Sequence, residues 1–386
     1  MWGTFNKKTK KKGKYWISLI LDIRSSSVGA SIVKNFKGKN KIPVILATYR
    51  EQIFYTDKPK TDEFITKSYQ TINRVLDIIT EKKHDTQPVF NCFVFYGSPW
   101  YGSEIRSINV TEKKAKTLKK DFLEKTIKDS YIDTPVKKMI EQKCLSVSVN
   151  GYKAKNPFDK KFKKLKIDFI ESFLHEDTYN DINEIVIKKT NLEDIKHSTH
   201  PITMHTVLSE KFEPVDNYTI LDISGEITEM TIVKKDEIKK TVTIPHGSHF
   251  FVRGLAKKCN LDFMNSFSKL DMILNEEVNE KCEENSLRAF KDMKVEWADE
   301  IREVMKRSNI KSLPHDVFVL VDNEVVKLTR NILKDSEIYS GALKFKKKPN
   351  LNYINSIEMD NLCVYRTDVK KDAVLSLESS FVEMYE

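Results

Sequence analysis

An α/β fold of two lobes is the class this sequence predicts, and three observations predict it. Two distant segments read as the same strand–turn–strand device: Trp16-Ile-Ser-Leu-Ile-Leu-Asp22-Ile-Arg24-Ser-Ser-Ser-Val-Gly29-Ala-Ser-Ile-Val33 and Tyr218-Thr-Ile-Leu-Asp222-Ile-Ser224-Gly225-Glu-Ile-Thr228-Glu-Met-Thr-Ile-Val233. Each is an apolar run ending in Leu-Asp-Ile, then a turn of Ser and Gly, then a strand of alternating apolar residues, and the two aspartates stand 200 positions apart. Strand-like runs alternate with stretches of helical spacing along the chain. Its 386 residues also exceed what one hydrophobic core usually holds.

Residues 1–14, with Lys7, Lys8, Lys10, Lys11, Lys12 and Lys14, read as a basic, flexible tail. The first hairpin fills 15–34, and 42–55 reads as further strand. Over 61–81 the residues Phe64, Ile65, Tyr69, Ile72, Val75, Leu76 and Ile79 share one helical face. Pro88 opens a strand at 89–96. Segments 111–129 and 135–143 read as helices. Segments 144–149 and 165–173 read as strands about the Asn150-Gly151 turn, a hairpin dipeptide. A helix and a strand are expected in 177–191. The link 195–215 holds His197, His200 and His205, but no ligand spacing recurs and Pro201 is expected to break a helix, so no metal is expected there.

Beyond the second hairpin, Ser248 is expected to cap a helix running toward Lys258. Residues 261–308 read as mostly helical: Glu276, Glu277, Glu280, Glu283 and Glu284 with Lys281 and Arg288 make a solvated face, and Trp297, Ile301, Val304 and Met305 a core face. A buried strand at 316–321 and a helix at 326–333 follow. Residues 336–386 carry no readable motif.

Composition narrows the class. Hydrophobic residues at 40% suffice for a packed core, and only 11 Gly and 11 Pro leave little room for long linkers. The longest apolar runs are too short to span a bilayer, and no signal-peptide core follows Met1. Cysteines 92, 144, 259, 282 and 363 form no CxxC pair and read as reduced thiols of a cytoplasmic protein. A formal net charge of +10 is compatible with an anionic partner. Lys153, Lys155, Lys160, Lys161, Lys163, Lys164 and Lys166 crowd one stretch. A solvated face is the plain reading of it, and docking on an anionic membrane the functional one. No aromatic-rich nucleic-acid signature accompanies these lysines, and no nucleic acid is expected as a partner.

The paired hairpins suit a phosphate clamp. Turn N–H groups and small hydroxyls hold phosphates, and Ser25, Ser26, Ser27, Ser224, Gly225 and Thr228 supply both. Asp22 and Asp222, at the strand ends, are placed to hold Mg²⁺ through water. The plain alternative is two ordinary hairpins with the usual turn residues.

The arrangement resembles the actin-like ATPase superfamily, which includes actin, hexokinase and the bacterial proteins FtsA and PilM. Residues 17–33 look like its first phosphate loop and 218–233 like its second. Val149-Asn150-Gly151-Tyr152-Lys153 with the basic run to Ile167, and Phe95-Tyr-Gly-Ser-Pro99-Trp100-Tyr101 with Arg106, look like the inserted SHS2-type unit of FtsA and PilM. Thr243-Ile-Pro245-His-Gly247-Ser248 matches the passage after the second loop. The resemblance implies an actin-like (ribonuclease H-like) two-lobed α/β fold with a small inserted α+β subdomain. Its expected divisions are a first lobe at 15–88, the insert at 89–195, a second lobe at 196–345 and a C-terminal segment at 346–386. It implies ATP and Mg as cofactors, with Asp22 and Asp222 as metal residues. It further implies an adaptor at the inner membrane face, in type IV pilus assembly or in cell division, peripheral to the membrane through its partner. That partner would be a PilN-like cytoplasmic tail or a tubulin-like division protein, and self-assembly belongs to the same family behaviour. An active Mg-dependent ATPase of the same fold is the alternative.

Three departures bear on that reading. Arg24 stands where the family's first loop usually has Gly, and Ser224 replaces the first Gly of the second loop. Asp322-Asn323 follows the late strand where the family has Gly-Gly at its adenosine site. Asn and Asp tolerate positive φ, so such a turn can survive. Arg24 can fork onto a phosphate, or fill the site and pair with Asp22 or Asp222. Together the departures point to a degenerate nucleotide site. Ser209 and Glu210 lie near the position of the family's catalytic polar residue. The 374–386 segment carries Glu378, Glu383 and Glu386 and no basic residue, unlike the basic membrane helix that ends FtsA.

Overall fold

The computed structural model describes residues 14–38, 41–82, 88–130, 136–212, 215–275, 280–322, 325–334, 348–354 and 362–385. The chain opens with β1 (Tyr15–Ile23), β2 (Ser27–Phe36) and β3 (Val44–Gln52), an antiparallel meander. Helix α1 (Thr61–Glu81) follows, and β4 (Val89–Tyr96) then returns parallel to β1. Next come β5 (Gly102–Thr117), α2 (Lys120–Asp129), β6 (Lys137–Val149), β7 (Tyr152–Lys153) and β8 (Lys161–His175), which make a separate four-stranded sheet in the order β5-β8-β6-β7. Helix α3 (Glu176–Thr190) leads to β9 (Ile195–Thr199), parallel to β4, and to α4 (His200–Lys211).

The second half repeats the plan. Strands β10 (Asn217–Ile223), β11 (Thr228–Lys234) and β12 (Ile238–Ile244) form an antiparallel meander. Helices α5 (Ser248–Cys259), α6 (Phe263–Leu274) and α7 (Glu280–Arg307) precede β13 (Asp316–Val321), which is parallel to β10. Then come α8 (Val326–Lys334), β14 (Asn350–Ile354), β15 (Val364–Tyr365) and α9 (Ala373–Met384). The sheet orders β3-β2-β1-β4-β9 and β12-β11-β10-β13-β14 are the same order run twice, with β15 added beside β3. Strands β1 and β13 are buried along nearly their whole length, which is why both read as continuous apolar runs.

Helices α4 and α9 lie in the core that both large sheets share. Ile202, Met204, Val207, Leu208, Leu375 and Phe381 pack with Ile20, Phe93 and Phe95 of the first sheet and Tyr218, Ile220 and Phe318 of the second. Every residue of α9 from Ala373 to Val382 is buried. A helix buried on every side presents no solvated face, and this one buries Ser376, Glu378, Ser379 and Ser380 along with its apolar residues, which explains why 374–386 shows no amphipathic signature. The inserted sheet has its own small core, with Leu118, Leu123, Ile127, Phe162 and Phe169.

Several expectations need correction. Residues 111–117 end the long edge strand β5, and 137–143 begin β6; neither is helical. Most of β5 is exposed, so no apolar alternation marks it. In β6 the polar Glu141, Gln142 and Lys143 are buried against side-chain partners: Ser198 and Thr199 for Glu141, Glu171 for Gln142 and Thr206 for Lys143. Distant partners compensate that burial, and local composition cannot show it. Strand β4 belongs to the first large sheet rather than to the insert, and β9 joins that same sheet rather than the second lobe. The 177–191 stretch is one helix, closed by Asn191 in the left-handed region at φ 57°. Pro201 starts α4 instead of breaking it, because the first turn has no need of its N–H. Gly247, not Ser248, is the N-cap of α5. The C-terminal stretch joins both lobes: β14 extends the second sheet, while β15 and α9 return to the first.

Phe381 packs edge-on against Phe95 at 5.7 Å between ring centroids. Phe381→Ala is expected to cost about 3–5 kcal/mol through lost burial and the cavity left behind, read as a lowered urea midpoint.

Candidate functional site

The two Leu-Asp-Ile strands end side by side in the cleft between the large sheets. The turns that follow are alike: Arg24 N donates to Ser27 O (3.0 Å) and Ser224 N to Ile227 O (2.9 Å). They face each other closely enough to bond directly. Gly225 N donates to Ser26 Oγ (2.8 Å), Glu226 N to Ser25 Oγ (3.1 Å), and Ser25 Oγ to Ser224 Oγ (2.8 Å). A Cβ on Gly225 would overlap the Ser26 side chain. The start of α5 closes on the same turn, with Ser248 N donating to Ser224 O (2.9 Å) and His249 N to Gly225 O (2.8 Å). Phe54, at the end of the first meander, meets Phe263 and His249 of the second lobe, each at 5.9 Å.

Behind the turns lies a buried charge cluster. Asp22 Oδ1 is 2.9 Å from His200 Nε2, and Asp222 Oδ2 is 2.8 Å from His200 Nδ1. Arg50 Nη2 forms an ion pair with Asp22 Oδ2 at 2.7 Å. Arg24 bonds Asp222 Oδ1 through Nη2 and Asp322 Oδ1 through Nη1, the latter at 2.7 Å. All four carboxylate oxygens of Asp22 and Asp222 therefore face a side-chain cation. Arg24 is fully buried.

Strand register explains how Arg50 arrives. Asp22 lies opposite Gly29, and Gly29 opposite Arg50, in a line across three strands. A Cβ on Gly29 would stand 2.7 Å from the Arg50 guanidinium, so glycine leaves the room in which that side chain passes over β2. Arg50 also pairs with Asp372, the N-cap of α9, at 2.7 Å. His200 begins α4, whose entry is fixed by Glu141 of β6: its carboxylate accepts from Thr199 N and Thr199 Oγ1, both at 3.1 Å, and from Ser198 Oγ at 2.8 Å.

Both ring nitrogens of His200 face carboxylates, so both carry protons. Burial pulls its pKa down, but the bonds to Asp22, Asp222 and Glu378 outweigh that and raise it well above 6.5. Burial pushes Asp22 and Asp222 upward; Arg50 and His200 hold the first well below the usual carboxylate range, and Arg24 and His200 lower the second. Glu378 is the neutral member, pushed up to about 8 by burial and by Asp22. Glu229, opposite Asp222 in β11, is likewise raised to about 7 by burial and by Asp222, and it accepts from Tyr101 OH at 2.7 Å.

These contacts decide the fit of Mg and nucleotide. Every oxygen of Asp22 and Asp222 already faces Arg24, Arg50 or His200, which leaves no open side for a hydrated Mg²⁺, and the N–H groups of Gly225 and Glu226 and the Ser25 hydroxyl are spent on the opposite loop. Asp22, His200 and Glu378 lie within 4.8 Å of one another, a spacing a metal could bridge. A doubly protonated imidazole, however, has no lone pair to offer one. As arranged here, the residues do not fit the group.

Of the residues singled out in the sequence, Asp22, Arg24, Ser25, Ser26, Asp222, Ser224, Gly225 and Asp322 do converge. Arg24 pairs with Asp222, one of the two partners foreseen for it. Ser27 accepts from Arg50 Nη1 (3.0 Å), and Thr228 donates to His246 O (2.8 Å), so neither hydroxyl serves the cleft. Asn323 lies outside the described residues. Ser209 bonds the His205 carbonyl within α4, and Glu210 is exposed on that helix. Sequence reasoning missed Arg50, His200, Asp372 and Glu378. Gly29 opposite Asp22 was the one local signal, since it marks a close approach.

The three histidines separate by environment. His197 bonds Tyr96 OH (3.0 Å) and His205 bonds Tyr218 OH (2.7 Å). Burial lowers His197 to about 4, and burial with Lys143 lowers His205 to about 3.

No protein-family model matches the chain, and no curated protein matches it. Among solved structures, the PilM–PilN type IV pilus biogenesis complex is similar with a TM-score of 0.58 at 14% identity, over 95% of this chain and 96% of that one. The ethanolamine utilization protein EutJ from Carboxydothermus hydrogenoformans gives 0.45 at 11% identity, over 97% and 91%. A Bacteroides thetaiotaomicron protein with an actin-like ATPase fold gives 0.38 at 8%, over 90% and 95%.

Two predictions follow from this geometry. Arg24→Ala leaves Asp222 and Asp322 without their guanidinium and should cost about 3–5 kcal/mol in urea unfolding; an unchanged midpoint would contradict the pairing. His197 and His205 stay neutral in the folded chain while the unfolded chain protonates them below about 6.5. On their account the unfolded state binds more protons, so the contribution of these two histidines to stability should fall as pH drops from 6.5 toward 4, against the opposite contributions of Glu229 and Glu378. His205→Gln should flatten that slope, read by urea titration at stepped pH.

Run twice around a shared pair of central helices, with a small sheet inserted in the first half, this architecture is the actin-like ATPase fold.

Proposed function

We propose that this chain is an actin-like scaffold that binds a membrane-protein partner at the inner face of the membrane, in type IV pilus assembly, with its cleft held shut by its own cations. The observation that carries the reading is the occupation of every carboxylate oxygen of Asp22 and Asp222 by Arg24, Arg50 and His200. A site in that state neither binds nor turns over nucleotide, which leaves the surface to do the work. The pilus assignment draws support from the likeness in fold to the PilM–PilN complex over nearly the full length of both chains. By that analogy the partner is a PilN-like cytoplasmic tail, the inserted sheet is an SHS2-type unit that takes part in the contact, and the protein is cytoplasmic and peripheral to the membrane.

The test is calorimetric titration with ATP and Mg²⁺, beside Asp222→Ala. No binding is expected up to millimolar nucleotide. Binding that the substitution abolishes would favour the Mg-dependent ATPase instead. In parallel, the cytoplasmic tail of a PilN-like membrane protein should bind the wild type without nucleotide, and failure to bind would remove the pilus assignment.

A further inference from the structure

Residues 111–120 and 150–166 carry twelve lysines against two acids, Glu112 and Asp159, a net charge of +10. The whole chain has the same formal net charge, so all its other residues together balance to zero. The fold draws these two segments into one surface at the end of the inserted sheet. Thr111 pairs across strands with Lys164, Lys116 with Phe162 and Thr117 with Lys161. Leu118 N donates to Lys160 O and Asp159 N to Leu118 O, both at 2.9 Å. The Asn150 side chain ties in the β6–β7 turn, accepting from Lys163 N (2.9 Å) and Lys164 N (3.2 Å) and donating to Lys161 O (3.1 Å). Leu118, Phe162 and Leu165 fill the interior beneath, so this is the surface of a folded body.

The few acids in reach are already taken. Glu112 pairs with Lys116, Asp159 with Lys119, Glu124 with Lys120 and Asp168 with Lys166. Lys153 turns toward the second lobe, where it meets Glu237 and the Lys235 carbonyl. Lys113, Lys114, Lys155, Lys160, Lys161, Lys163 and Lys164 are exposed and have no ion pair among the described residues. Tyr152 stands among them, 80% exposed.

We propose that this basic tip docks directly on an anionic lipid bilayer. Every cation in it is lysine. A lysine ammonium is a hydrated point charge without the fork that reads phosphates one at a time, so the patch matches a diffuse negative surface. Sites for single-stranded nucleic acid stack bases on aromatic platforms, whereas one exposed tyrosine beside lysines suits the headgroup layer. The unpaired positive charge gathered at this end draws it toward a negative membrane. The contact goes beyond the proposed function, because it needs no partner protein, and its failure would leave the scaffold reading standing.

The test is co-sedimentation of the full-length protein with phosphatidylcholine vesicles, with and without phosphatidylserine, at low and high salt. Binding is expected only with phosphatidylserine and should weaken as salt rises. The combined K160E, K161E, K163E and K164E variant should lose about fivefold in binding for each lysine close to the surface, with an unchanged thermal midpoint. K257E, on α5 of the second lobe, should bind as the wild type. Equal binding to both vesicle types would overturn the proposal. So would phosphatidylserine binding that survives the four substitutions, which would assign it to other lysines. Duplex DNA binding lost in the same variant, with vesicles ignored, would make the tip a nucleic-acid surface instead.

Discussion

The structure turns on one imidazolium. His200 sits between Asp22 and Asp222, each at the end of the central strand of its sheet, and bonds both. Three buried carboxylates around one ring would repel each other strongly if all were charged and unpaired. Glu378 escapes by staying protonated, and the two aspartates stay ionised because Arg24 and Arg50 face their remaining oxygens. Removing any one cation leaves a buried charge unanswered. The cluster is therefore better understood as fixing one arrangement of the lobes than as adding net stability.

Position matters as much as charge. His200 can bridge because α4 starts where it does, and Glu141 of the inserted unit's β6 holds that start by accepting the Thr199 N–H. The other side is held by α9, which contributes Glu378 and, through its N-cap Asp372, a second partner for Arg50. The inserted sheet and the C-terminal helix thus both reach the cleft, the first through Glu141 and the second through Glu378 and Asp372. A load on the inserted sheet would reach the cleft through Glu141 and the first turn of α4, with no long path between them.

How much of this was legible follows from how local each signal is. The duplicated hairpins, α1, and strands β4 and β13 could be read from the sequence, because their burial pattern is written in consecutive residues. Strands β5 and β6 could not. One is an exposed edge, and the other buries Glu141, Gln142 and Lys143 against partners far away in sequence. In the cleft, the Asp and Ser residues of the two turns were visible because each belongs to its own repeat. Arg50 and His200 belong to neither repeat, and only the register of β3 and the entry of α4 bring them in. Helix α9 was illegible for the opposite reason: it is buried on every side and so has no amphipathic period to find.

The glycines that remain in the cleft show what the turns are built for. A Cβ on Gly225 would overlap Ser26 of the facing turn, and one on Gly247 would overlap the Ser224 carbonyl. In a phosphate loop, missing side chains let the backbone approach a ligand. Here Gly225 lets the second lobe's turn approach Ser26 of the first, Gly247 lets the start of α5 close on that same turn, and the N–H groups of Gly225 and Glu226 end on serine hydroxyls. Arg24 completes the substitution of partners, because its guanidinium joins the strand-end aspartate Asp222 to Asp322 just beyond β13. A lobe interface closed by hydrogen bonds and buried ion pairs has no need of a ligand to hold it.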